Sequence, residues 1–256
     1  MSMRVSIKPP AEARLEVNRP VFMMVGMMRS GSNFLERKIG MLPSVRCHGE
    51  LFNPHFVGLS ADHGDHCIGF QREDIHARNK DPIGFLNRLI LASDRQQMGF
   101  RMFLDHDAGA MSEALYHPGV KKVVLTRNLL DSFVSLEIAR ETDVWLTTES
   151  RKTEPDRVHI DINELTSFAL RQSLFYNDVL TILQRTGQPY FHIDYSEIKD
   201  IEVLNDLASF LGVPDRFTSD EEPIKRQNPG RQQDKITNYE DLVKQMRDRR
   251  LARWFT

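Results

Sequence analysis

Five apolar residues in a row, Val21-Phe22-Met23-Met24-Val25, stop at Gly26, and a short polar loop then runs into a stretch with helical spacing. No other unit constrains the fold as much. An unbroken apolar run of strand length suits a strand covered on both faces, as in parallel sheets packed under helices. The loop 26–32 holds two glycines five apart. Residues 33–41 carry Phe34, Leu35, Lys38 and Ile39 at helical spacing, and Pro43 stops them. Strand, glycine-bounded loop and helix form the first half of a βαβ unit.

The rest of the chain repeats the alternation. Further strands are predicted at 98–104, 122–126 and 188–193. Helices are predicted at 82–93, 129–140, 161–185, 201–211 and 239–250, with Gly212 and Pro214 closing the fourth. Strands alternating with helices imply an α/β fold, a parallel sheet flanked by helices. At 256 residues the chain is long enough for one core to bury most of its apolar surface. The predicted organisation is an extended N-terminal arm over 1–19, broken by Pro9-Pro10, followed by a single domain over 20–256. Within that domain 142–158 reads as a polar, mobile surface loop, and 224–256 as a basic, polar tail.

Composition removes several classes. A formal net charge of -2 provides no basic field of the kind nucleic-acid binders show. Two cysteines, Cys47 and Cys67, make no disulfide framework. No apolar stretch reaches the length of a signal peptide core or a membrane span, so a cytoplasmic protein is expected. The run Asp62-His63-Gly64-Asp65-His66-Cys67 matches no standard zinc spacing, and no metal site is expected.

The loop Gly26-Met27-Met28-Arg29-Ser30-Gly31-Ser32 has the makings of an anion site. Two glycines permit turns that aim amide N–H groups inward, and the helix behind adds its free N–H groups and positive dipole end. Arg29, Ser30 and Ser32 add side-chain donors. A nucleoside-triphosphate loop would read GxxxxGK[ST]. Here Ser32 stands where the lysine belongs, and Asn33 where the Mg²⁺-binding hydroxyl belongs. The cation lies inside the loop, at Arg29, which suits a phosphate-bearing donor that needs no metal.

A second anchor lies at Arg127, just past the predicted strand 122–126, with Ser135 eight residues on in the following helix. Ligands of open parallel sheets bind beyond the carboxyl ends of the strands, so Arg127 and the Arg29 loop are expected on one edge. Two separate anion clamps fit a nucleotide phosphorylated at two places.

These residues resemble PAPS-dependent sulfotransferases. The stretch from Arg29 to Leu35, RSGSNFL, is similar to that family's 5'-phosphosulfate loop. The stretch from Val123 to Ser135, VVLTRNLLDSFVS, is similar to its 3'-phosphate motif. RSGSNFL and HGELFNP together most resemble bacterial carbohydrate sulfotransferases of the nodulation-factor and trehalose type. The resemblance implies a P-loop-like sulfotransferase fold and in-line transfer of a sulfuryl group from 3'-phosphoadenosine 5'-phosphosulfate (PAPS) to a hydroxyl, without a metal. The acceptor it implies is a carbohydrate or glycolipid. It assigns the phosphosulfate to Arg29, Ser30, Gly31, Ser32 and Asn33, and the 3'-phosphate to Arg127 and Ser135. A weaker likeness over 225–242 implies a capping loop with Lys225, Arg226, Asn228 and Arg231 over the nucleotide.

An attacking hydroxyl must lose a proton, so a base is required. Glu50, twenty-one residues after Arg29, has a spacing similar to the glutamate bases of tyrosylprotein and some carbohydrate sulfotransferases. His106, after the predicted strand 98–104, resembles the histidine base of the cytosolic enzymes. His48 is a weaker third candidate. Two other classes remain open on sequence grounds, a P-loop-type small-molecule kinase and a non-catalytic nucleotide-binding module.

Overall fold

The computed structural model describes residues 7–60, 69–145, 157–218, 230–249 and 251. Lys225, Arg226, Asn228, Trp254, the run 62–67 and most of the predicted loop 142–158 lie outside the described residues.

The five strands are β1 (Val21–Val25), β2 (Val45–Cys47), β3 (Gln97–Met102), β4 (Val120–Thr126) and β5 (Tyr190–Asp194). They form one sheet in the order β2-β3-β1-β4-β5, and every pairing is parallel. The helices between them are α1 (Ser32–Gly40), α2 (Ile75–Lys80), α3 (Pro82–Ala92), α4 (Ala108–Tyr116), α5 (Leu129–Thr142), α6 (Ile162–Arg185) and α7 (Ile201–Leu211). The tail adds α8 (Gln232–Lys235) and α9 (Tyr239–Asp248).

Alternation along the strands sorts side chains onto two faces. Met23 and Val25 of β1, Met98, Phe100 and Met102 of β3, and Val124 of β4 join one core with α3, α4 and α6. Phe22, Met24, Val123, Leu125 and Ile193 join another with α1 and α7. Gly99 faces this second core because a Cβ there would collide with the Phe22 ring. A third cluster packs α5 and α6 against the tail through Phe133, Phe168, Val158, Ile236 and Leu242.

Helix starts follow side-chain chemistry. Asp81, Asp107, Asn128, Asp161 and Asp200 each accept from a backbone amide of the first turn of the helix they cap. Strand β3 ends at Met102, two residues short of the predicted end, because the chain turns there and the Phe103 amide donates to the His106 ring. Four short elements, β2, α2, α4 and α8, went unpredicted. β2 has three residues and α8 four, too few to show a period.

Residues 7–19 of the arm carry no helix or strand and are tied to the domain. The backbone amides of Arg14 and Leu15 donate to the Glu113 carboxylate of α4 at 3.0–3.2 Å. Leu15 is buried, and Arg14 pairs with Asp81.

Candidate active site

The carboxyl ends of β1 to β4 lead into the segments that hold Arg29, Ser30, Ser32, Asn33, His48, Glu50, His106, Arg127 and Ser135. Strand β1 opens into the loop 26–31. The backbone reverses there through two left-handed residues, Arg29 at φ 63 and Gly31 at φ 91. Gly31 is a necessary glycine, since a Cβ would also strike the Tyr195 ring. Gly31 is the N-cap of α1 and has no side chain to bond the first amides, so these face outward with the positive end of the helix dipole. Ser32 and Asn33 begin that helix. Ser30 is buried, and its hydroxyl finds no partner among the described residues.

Strand β4 delivers Arg127. Its Nη1 donates to the Arg29 carbonyl at 2.6 Å, and its guanidinium lies 4.0 Å from the Tyr195 ring centre. Arg29 in turn donates from Nε to the Ser135 hydroxyl of α5 at 3.0 Å and from Nη1 to the Trp145 carbonyl at 2.7 Å. The predicted pair of anchors therefore meets in one place, on one edge. Burial, with the positive charge of Arg127 beside it, pushes the Arg29 guanidinium down to about 10, against an opposing pull from Tyr195. The two guanidinium groups crowd each other, an arrangement that an anion relieves.

The tail approaches the same edge. Gln232 of α8 donates to Asp131 in the first turn of α5 at 3.0 Å. Arg231 lies immediately before α8 and is exposed.

Glu50 follows β2. Asn53 donates to its Oε2 at 2.6 Å, Arg101 Nη2 stands 3.6 Å from Oε1, and His106 Nε2 stands 3.4 Å from Oε2. Burial pushes the carboxyl up, but His106, Arg101 and Asn53 together outweigh it and hold the group below its ordinary value. Arg78 fixes the segment from behind, donating to the carbonyls of Leu51 and Asn53 at 2.6 and 2.9 Å.

His106 is buried, and its Nδ1 accepts from the Phe103 amide at 3.2 Å. In a neutral ring the hydrogen therefore sits on Nε2, the nitrogen turned to Glu50. His48 is also buried, and its Nδ1 accepts from the Ser60 amide at 3.1 Å. A cleft of about 670 Å³ opens between the arm and the turn after β3, with Pro9, Pro10, Ile83, Phe103, His106 and Phe175 among its lining.

Four residues of this edge escaped the sequence reading: Glu36, Asn53, Arg101 and Tyr195. Arg101 carried a visible signal, a charge inside an otherwise apolar strand. Tyr195 follows β5 directly and carried only its position.

No family model matches the chain. Nodulation protein H of Rhizobium tropici is 24% identical over 237 residues, covering 91% of this chain and 92% of that protein. A sulfotransferase from Alicyclobacillus acidocaldarius aligns with a TM-score of 0.44 and 19% identity over 93% of each chain. The sulfotransferase domain of a Synechococcus olefin synthase aligns with a TM-score of 0.43 and 16% identity, over 82% of this chain and 78% of that one. A nodulation protein is of the kind that RSGSNFL and HGELFNP resemble.

Proposed function

We propose that this chain is a sulfotransferase that moves a sulfuryl group from PAPS to a hydroxyl of a carbohydrate or glycolipid. One observation carries the reading. The loop arginine and the Arg127–Ser135 couple, ninety-eight residues apart at their first members, are bonded into a single cationic cradle at the carboxyl edge. Similarity to a nodulation protein over nine-tenths of both chains supports the choice of acceptor.

Arg127 and Ser135 take the 3'-phosphate. Arg29, with the Ser30–Asn33 amides and hydroxyls, takes the phosphosulfate and faces the bridging oxygen. Glu50 accepts the proton of the attacking hydroxyl. A bond forms between acceptor oxygen and sulfur, and the bridging sulfur–oxygen bond breaks with its electron pair going to the departing 5'-phosphate. Arg29 stabilises that growing charge electrostatically, since a guanidinium is a poor proton donor. His106, its Nδ1 engaged and its Nε2 toward Glu50, orients the base. The cleft beside Phe103 and His106 offers the acceptor an apolar approach. On the same reading Lys225, Arg226 and Arg231 are assigned to the nucleotide.

Sulfate transfer from labelled PAPS to a panel of free sugars and glycolipid extracts tests this, beside a thermal-shift comparison of adenosine 3',5'-bisphosphate with ATP–Mg²⁺. Labelled acceptor and selective stabilisation by the bisphosphate are expected. Stabilisation by ATP–Mg²⁺ alone would transfer the reading to a kinase, and bisphosphate binding without any transfer would leave a binding module.

A further inference from the structure

Arg101 projects from β3 onto the face covered by α1, opposite to Phe100 and Met102. Its guanidinium reaches three groups, two on α1 and one after β2. Nε lies 2.8 Å from Glu36 of α1, Nη1 donates to the Ser32 hydroxyl at 2.9 Å, and Nη2 stands 3.6 Å from Glu50. Ser32 belongs to the donor loop and Glu50 to the acceptor side. The side chain of Arg101 is only 7% exposed, so water screens these contacts weakly.

We infer that Arg101 is a positioning residue that locks the donor loop and the base into one rigid unit, with Glu36 as its anchor. This rests on the sulfotransferase reading above and adds a residue to it. The planar guanidinium bonds Ser32 and at the same time lies in ion-pair contact with Glu36 and Glu50, and a lysine ammonium does not reproduce that spread of contacts. In-line transfer depends on the distance between attacking oxygen and sulfur, and errors of about 1 Å cost on the order of 100-fold in rate. A link between the residues that hold each reactant sets that distance. The same guanidinium keeps Glu50 ionised, the state in which it accepts a proton. Glu36, buried beside the same arginine, is pushed the other way by its burial, so one cation serves two carboxylates of opposite tendency.

The experiment compares Arg101→Gln with Arg101→Lys in the full chain. The Glu50 carboxyl is followed by ¹³C NMR of glutamate-labelled protein, assigned by difference with Glu50→Gln. In Arg101→Gln the Glu50 midpoint and the acid limb of kcat both move up by about one pH unit or more. Affinity for adenosine 3',5'-bisphosphate falls by about 2–10-fold as Ser32 loses its partner. In Arg101→Lys the charge remains and the midpoint stays near wild type, yet kcat still falls. An unmoved midpoint with unchanged kcat in Arg101→Gln overturns the inference. Should that variant not fold, Ser32→Ala and Glu36→Gln each remove one contact that α1 makes with Arg101. Their losses in kcat are less than additive in the double variant if the link exists, and fully additive losses overturn it. If wild-type protein does not bind the bisphosphate, the sulfotransferase reading fails by itself, while the carboxyl titration still decides whether Arg101 governs Glu50.

Discussion

The two edges of one sheet handle positive charge in opposite ways. At the amino edge each cation named here is met by oxygen. Arg46 forks onto Asp94 with both contacts of Nη2 at 3.0 Å. Lys121 closes the end of α7 by donating to the carbonyls of Phe210 and Leu211 at 2.7 Å. Lys122, fully buried, donates to the His117 carbonyl and to the Gln188 side chain. At the carboxyl edge two arginines crowd each other, and a non-glycine residue is held left-handed at Arg29. A left-handed arginine costs about 1–2 kcal/mol. At the amino edge the cations meet a carboxylate, backbone carbonyls and a side-chain amide, whereas the carboxyl edge sets two guanidinium groups and a strained backbone side by side where an anion can use them.

Several experiments can break or sharpen this contrast. The largest effect belongs to Glu50. Glu50→Gln should lower kcat by about 10²–10⁴-fold while affinity for adenosine 3',5'-bisphosphate, read by calorimetry, stays unchanged. In wild type the carboxyl is held below its ordinary value, so the ionised base persists as pH falls. The acid limb of kcat should therefore lie below the usual carboxylate range. Equal losses in kcat and bisphosphate affinity would show that Glu50 belongs to the donor site instead.

Next come the cradle arginines. Arg127→Ala should weaken bisphosphate binding about 10–100-fold, the worth of a charge-assisted contact. Arg29→Gly should do likewise, yet leave stability in denaturant unchanged or raise it by up to about 1 kcal/mol, because glycine accepts the positive φ without strain. A clear loss of stability in Arg29→Gly would mean that the strain argument is wrong.

Arg46→Leu is the mirror experiment at the other edge. It should cost about 1–3 kcal/mol of stability and leave bisphosphate affinity alone. A shift in affinity would show that the edges are coupled.

The smallest effect concerns Lys122, whose burial lowers it to about 7 from 10.5. Between those values the unfolded chain holds the extra proton, so folding releases one and stability rises with pH across that window. Lys122→Met should flatten the rise, measured as the change in Tm from pH 7 to pH 9. An unaltered slope would assign the pH dependence to another group.

Strand β1, its loop and α1 were legible because each carries a strong local signal: an apolar run, two glycines and a helical period. The place of Arg127 just past a strand was expected from a general rule about parallel sheets, and its Nη1 donates to the Arg29 carbonyl. The hub around Arg101 was not legible. Ser32 and Glu36 of α1, Glu50 after β2 and Arg101 of β3 lie in three separate segments, and nothing local in any of them points to the others. Tyr195 was invisible for the same reason, since its role depends on β5 lying next to β4.

The amino-acid order by itself determined the βα alternation and marked out the glycine-bounded loop and the two arginines to which phosphate binding is proposed, because backbone preference and side-chain chemistry act over a few residues. Only the tertiary structure decided that Arg29, Arg127 and Ser135 share one cradle, and which nitrogen of His106 faces Glu50. Those outcomes depend on strand order and on the way two sheet faces are covered, and such contacts join residues far apart in the chain, as in Arg29 and Ser135, which lie 106 residues apart.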